Sequence, residues 1–246
     1  MAKRHGGAGN QNKKVNRARN LIVGGLGLLV IGVVAYGLLY STGTIDPSRL
    51  DGAPVAGTHY EIIDPPLPRS GRGNITEFFS YGCIHCRNME PLLEDFTAEL
   101  PDSVGFDRTP VTFAAPWIVL AQTFHALDAI DALEPNHRRM FAAVHDERRA
   151  FGSAEDVADY LARTIDRERF LQAYNSAAVR RALSRGDASS RAAGVASVPT
   201  LVVNGRYRIN PRLQRADALA VARALATDPP ADGGPTAQQD VQAVEG

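Results

Sequence analysis

The 246-residue chain carries 27 basic and 27 acidic residues, is 44% hydrophobic and has only two cysteines. That composition excludes a chain disordered throughout and a disulfide-stapled miniprotein, and zero net charge removes any whole-chain case for nucleic-acid binding. The length suits one folded domain with appendages.

The charge is segregated. Residues 1–20 hold Lys3, Arg4, Lys13, Lys14, Arg17 and Arg19 and no acid, and every basic residue after them is Arg. Next comes Leu21 to Tyr40 (LIVGGLGLLVIGVVAYGLLY), uncharged and, as a helix, long enough for a hydrocarbon core of about 30 Å. A cleaved signal peptide would have a shorter apolar stretch and a small-x-small exit, which Tyr40-Ser41-Thr42-Gly43 does not supply. The sequence therefore predicts a transmembrane anchor at 21–40, with the basic end 1–20 in the cytoplasm and all later residues outside.

Residues 41–73, rich in Gly, Pro and Ser, read as a linker with a short strand around His59 to Ile63. At the other end, 228–246 is polar, Pro/Gly-bearing and without aromatics, the composition of a disordered tail. Between them, Asn74 to Tyr81 (NITEFFSY) is a β-prone run ended by Gly82. Cys83 through Leu100 has Met89, Leu92, Leu93, Phe96 and Leu100 at helical spacing, with Pro91 predicting a kink, and Val104 to Ala114 is a second strand candidate. The block 116–193 is helical in pattern. Trp117, Leu120, Ala121, Phe124, Leu127 and Ile130 form one apolar stripe, and Pro135, Ser153-Ala-Glu-Asp156 and Asp166 mark helix starts. Thr200 to Val203 and Arg206 to Ile209 flank Asn204-Gly205, a strong hairpin signal, and a last helix runs from Leu213 to Ala226. The order strand-helix-strand, helical insertion, hairpin-helix is that of an α/β domain.

Chemistry concentrates at Cys83-Ile84-His85-Cys86, where a strand ends and a helix begins. Free N–H groups and the positive end of the helix dipole favour an anion there, so the Cys83 thiol should ionise well below the ordinary cysteine value, helped by His85. Cys86, on the helix line that continues to Leu93 and Phe96, should be the buried resolving partner. Low thiol pKa stabilises the reduced pair and so makes the disulfide oxidising. A structural zinc site needs four ligands, and no second cysteine pair exists, so no metal is expected. Trp117, Phe124 and Tyr174 read as core aromatics, and the Arg138-Arg139, Arg148-Arg149 and Arg180-Arg181 pairs as solvated helix faces.

Two segments resemble the DsbA disulfide oxidoreductases of the thioredoxin-like superfamily, in particular membrane-tethered members. Glu77-Phe78-Phe79-Ser80-Tyr81-Gly82-Cys83-Ile84-His85-Cys86 is similar to the family's strand leading into C-x-H-C. Gly194-Val195-Ala196-Ser197-Val198-Pro199-Thr200, followed by Val203-Asn204-Gly205-Arg206-Tyr207, is similar to its Val-cis-Pro segment and hairpin. Ile84 departs from the proline of the best-known members. The resemblance implies a thioredoxin-like domain over 74–227 with its helical insertion at about 116–193. It also implies a cis Pro199 against the dithiol, a Val198 backbone that pairs with substrate, and Glu77 as a buried acid beneath Cys86.

Together these readings predict a membrane-anchored thiol:disulfide oxidoreductase on the outer, periplasmic side of the cytoplasmic membrane. Its partners would be reduced exported proteins and a membrane-embedded reoxidising protein, with no cofactor and no nucleic acid. A tethered reductase or isomerase, and a redox-silent peptide-binding or chaperone module, are the alternatives.

Overall fold

The computed structural model describes residue 25 and residues 27–36, 52–68 and 75–230, and the chain divides into two units at Arg49 and Leu50. In the first unit, residue 25 and residues 27–36 are helical and exposed. The rest of the predicted span at 21–40 and the basic segment 1–20 lie outside the described residues. Among the described residues no helix is long and apolar enough to cross a membrane.

The second unit is built on a five-stranded sheet of order β1-β5-β4-β2-β3. Its strands are β1 (Tyr60–Ile62), β2 (Ile75–Phe79), β3 (Phe106–Pro110), β4 (Thr200–Val203) and β5 (Tyr207–Ile209). β2 and β3 run parallel, with Glu77 opposite Arg108, while β4 pairs antiparallel with both β2 and β5. The hairpin turns where expected. Asn204 and Gly205 both adopt positive φ (54° and 65°), and the Arg206 N–H closes the turn on the Val203 carbonyl at 2.9 Å.

β1 lies within the short strand expected around His59 to Ile63. Tyr60 pairs with Ile209, is buried and packs edge-on against Tyr207, and the Leu67 N–H bonds to the Gly205 carbonyl at 2.8 Å. The segment 52–68 therefore belongs to the domain: it supplies an edge strand, and Pro and Gly around it set the turns rather than a free tether. The tail beyond residue 230 is outside the described residues.

Helices α1 (Ile84–Arg87) and α2 (Glu90–Ala98) replace the single kinked helix. Pro91 sits in the first turn of α2 and has no N–H to give the Arg87 carbonyl, so the chain breaks at Asn88 and restarts. The insertion comprises α3 (Ala115–Ala129), α4 (Leu133–His145), α5 (Ala154–Leu161), α6 (Arg167–Tyr174) and α7 (Ala177–Ala192); α8 (Arg215–Thr227) closes the fold. Side chains of Ser153, Asp166 and Ser176 cap α5, α6 and α7. The reciprocal bond of the Ser153 box shifts one residue, with Asp156 accepting from the Gly152 N–H at 3.0 Å.

Alternation along β2 divides the core. Phe78 points into a cluster with Val111, Ala193, Val195 and Val202, and Ile75 into one with Met89, Leu93, Val203 and Leu225. Phe79 instead joins the core of the inserted helices, together with Tyr81, Cys83, Cys86, Phe124 and Phe141. The insertion thus packs directly on the C-terminal end of β2, where the dithiol lies. Of the arginine pairs, Arg139 and Arg149 are engaged rather than free: both guanidinium groups lie over the Tyr160 ring, at 5.7 and 4.7 Å.

Candidate active site

Cys83 is the N-cap of α1, in extended conformation at the exit of β2. Both cysteines are thiols here. Their surroundings differ: Cys83 keeps 7% of its surface open, while Cys86 has none. The Cys86 N–H donates to the Cys83 sulfur at 3.3 Å, and the same sulfur lies 3.5 Å from the Val198 carbonyl oxygen. The Val198–Pro199 bond is cis, as the resemblance implied. The Val198 N–H has no hydrogen-bond partner among the described residues.

These contacts separate the two thiols. Cys83 is lowered to about 6, chiefly by the hydrogen bond from the Cys86 thiol, opposed by burial and assisted by the N–H groups of Cys86 and His85. At pH 7 that is about nine-tenths thiolate, against about three parts in a hundred at an ordinary value. The positive charge of His85 comes last among the contributions, in keeping with an exposed imidazole. Cys86 is pushed far up, first by burial, then by the bond it gives to Cys83, then by the negative charge of Glu77. The helix-start argument from sequence finds the low-pKa sulfur but misses its main cause, the partner thiol.

Glu77 is fully buried. Burial raises its carboxyl to about 8, Arg108 works against this, and Glu90 and Cys83 add to it. Arg108 donates from Nε to Glu77 Oε2 at 3.1 Å and from Nη2 to Glu90 Oε2 at 3.2 Å. His137 Nε2 lies 3.3 Å from the same Glu90 oxygen, and His137 Nδ1 lies 2.8 Å from the Tyr81 hydroxyl. The Tyr81 carbonyl in turn accepts from His145 Nε2 at 2.9 Å. Sequence reasoning gave no role to Arg108, His137, Tyr81 or Glu90. One signal was available: a charged residue inside a strand candidate, Arg108, with a buried acid predicted on the neighbouring strand.

Beside the dithiol a groove of about 690 Å³ is lined by apolar Met89, Leu92, Val198 and Pro199 and by polar residues that include Ser197 and Arg212, with His85 at its edge. On the other side, Trp117 stacks with the exposed Phe113 and presses on Gly82, where an added Cβ would lie 2.4 Å from the indole nitrogen. Ile84, beside Cys83, is itself exposed. The structure therefore brings Cys83, Cys86, Glu77, Val198 and Pro199 to one place, with His85 at the rim.

A thioredoxin family model matches residues 71–219. The thiol:disulfide interchange protein DsbA of Pseudomonas aeruginosa is 36% identical over 158 residues, which cover 63% of this chain and 75% of that protein. The chain belongs to the DsbA family. Its DsbA relative in Azotobacter vinelandii is 31% identical over 186 residues, 74% of this chain and 87% of the relative. The crystal structure of Pseudomonas aeruginosa DsbA superposes with a TM-score of 0.67 at 33% identity, covering 71% of this chain and 93% of that one. DsbA from Xylella fastidiosa gives 0.67 at 25% identity, over 72% and 97%. The protein is thus a thiol:disulfide oxidoreductase with a thioredoxin-like fold, and among the described residues no group of side chains is arranged to hold a metal ion.

Proposed function

We propose that this DsbA-family member oxidises exported proteins on the outer side of the cytoplasmic membrane, held there by residues 21–40 as a single-pass anchor. The asymmetry of the two sulfurs carries the reading. A thiolate of a reduced client attacks Cys83 Sγ in the disulfide; the Cys83–Cys86 bond breaks, its electron pair leaves on Cys86, and Glu77 gives that thiolate its proton. A second client thiolate then attacks the client's own sulfur in the mixed disulfide and expels Cys83 as a stable thiolate. The client leaves oxidised and the enzyme reduced by two electrons, which pass to a membrane-embedded reoxidising partner.

Extended client backbone pairs with Val198 beside Pro199, and apolar side chains settle on Ile84, Leu92 and Phe113. Sequence topology supports the location: the basic residues before the span orient it, and disulfide chemistry belongs outside the cytosol. Cys83→Ser tests the catalytic role: oxidation of a dithiol peptide should fall at least about a thousandfold, and retained turnover would refute it. A reduction potential near that of a reductase, about −270 mV, would overturn the direction of transfer. Release of the chain from membranes by alkaline extraction would overturn the anchor.

A further inference from the structure

The carboxyls of Glu77 and Glu90 share one guanidinium, Arg108, and both keep an Oε1 without a hydrogen-bond partner. Two buried carboxylates with a single positive charge between them favour retaining a proton, because an unpaired buried anion is costly. Which carboxyl keeps it depends on what else each one meets. Glu77 Oε2 receives only Arg108, whereas Glu90 Oε2 receives Arg108 and faces His137 Nε2 at 3.3 Å. The 3.3 Å approach is not aligned as a hydrogen bond, and that buried nitrogen has no hydrogen-bond partner among the described residues.

Tyr81 and Glu90 together favour one tautomer of His137. The Tyr81 phenol is fully buried and, through burial above all, pushed well above the ordinary tyrosine range, so it keeps its hydrogen. In the tautomer with its hydrogen on Nε2, the imidazole accepts from the Tyr81 O–H at Nδ1, at 2.8 Å, and Nε2–H lies on the Glu90 side, within 3.3 Å of Oε2 though not aligned as a hydrogen bond. The opposite tautomer would set a lone pair against a carboxylate oxygen. The rings of Phe79, Phe124 and Phe141 enclose His137, at 5.5, 6.3 and 5.3 Å, so water does not screen these contacts.

We propose that His137 is a positioning residue of the redox centre: it holds the negative charge on Glu90, so that the proton of the carboxyl pair stays on Glu77, next to Cys86. The inserted helices thereby control the proton that Cys86 receives when its sulfur leaves. The groups facing His137 are Glu90 from α2 and Tyr81 from the turn after β2. Arg108 on β3 and Glu77 on β2 act through Glu90, and His145 one helical stretch along α4 fixes the Tyr81 backbone. The proposal rests on Glu77 as the proton donor, and its test reads Glu77 directly, without turnover.

In the reduced full-length chain, the Glu77 carboxyl is titrated by carbon NMR in the parent protein and in His137→Phe, His137→Gln, Tyr81→Phe and Glu90→Gln. His137→Phe and Glu90→Gln should each lower the Glu77 midpoint from about 8 by about one pH unit or more. Tyr81→Phe should lower it less, and His137→Gln, which retains an N–H donor, should hold it near the parent value. His137→Phe combined with Glu90→Gln should lower it no further than Glu90→Gln alone. An unmoved midpoint in His137→Phe, or additive effects in the double variant, would overturn the proposal even if thermal stability fell. Should His137→Phe not fold, an unmoved midpoint in Tyr81→Phe and in Glu90→Gln overturns it in the same way. A Cys83→Ser variant that still turns over would sink the oxidase reading and leave these titrations unchanged.

Discussion

Replacing Cys86 by Ala removes the donor that contributes most to the acidity of Cys83. The bond lost is a thiol donating to a thiolate in a mostly buried place, and a hydrogen bond to a charged group contributes about 1.5–3 kcal/mol. That corresponds to about one to two pH units, since one unit is about 1.4 kcal/mol. The Cys83 midpoint should therefore rise from about 6 to between about 7 and 8, because the N–H groups of Cys86 and His85 still point at the sulfur. Cys86→Ser, which keeps a donor at the same place, should stay below about 7. The assay is thiolate ultraviolet absorbance with pH, checked by the pH profile of alkylation; the variant has one thiol left, so assignment is direct. A Cys86→Ala midpoint within about half a unit of 6 would refute the reasoning and return the effect to the helix start alone.

The same group sets how stability of the reduced protein depends on pH. A thiol depressed from 9 to about 6 stabilises the fold fully above pH 9, and loses that contribution as pH falls through 6. The full depression would be about 4 kcal/mol; with water at the groove rim screening the sulfur, about half of that is expected. In Cys86→Ala the window should narrow from its acid side.

Glu77 has the opposite sign. Its carboxyl is raised from 4.5 to about 8, so the folded state holds the extra proton between those values and stability falls as pH rises through 8. Glu77→Gln should abolish that slope in chemical denaturation at several pH values, with a gain on the order of 5 kcal/mol above pH 8; an unchanged slope would assign it to another group. Gly82→Ala drives a methyl into the Trp117 indole, and should cost about 1–3 kcal/mol through forced repacking. Trp117 is the sole tryptophan, so a shift in its fluorescence reports the displacement, and parent-like emission with parent-like stability would contradict the packing.

Local physics made much of this protein legible from its sequence. The Asn204-Gly205 hairpin, the caps at Ser153 and Asp166, the strand carrying Glu77 and the dithiol at a helix start each depend on residues a few positions apart. Their energetics are those of turns, caps and a short run of backbone. Where local rules competed, the sequence reading slipped: Pro91 reads as a kink inside a long apolar stripe, but the missing N–H splits the stripe into α1 and α2. The Gly- and Pro-rich stretch before β2 reads as a linker with a short strand around His59 to Ile63; the strand is there, and what composition does not reveal is that it pairs with the open edge of β5, where Tyr60 is buried.

The electrostatic layer beneath the dithiol lies beyond such rules. Arg108 meets Glu77 from 31 residues away, His137 meets Tyr81 from 56, and Val198 meets Cys83 from 115. No spacing in the sequence encodes those encounters; only parallel pairing of β2 with β3 and docking of α4 against the end of β2 produce them. Sequence alone determined that two sulfurs would sit at a helix start with one more exposed than the other. Folding decided how far their acidities diverge, because desolvation and charge pairing depend on which distant groups share the same dry volume.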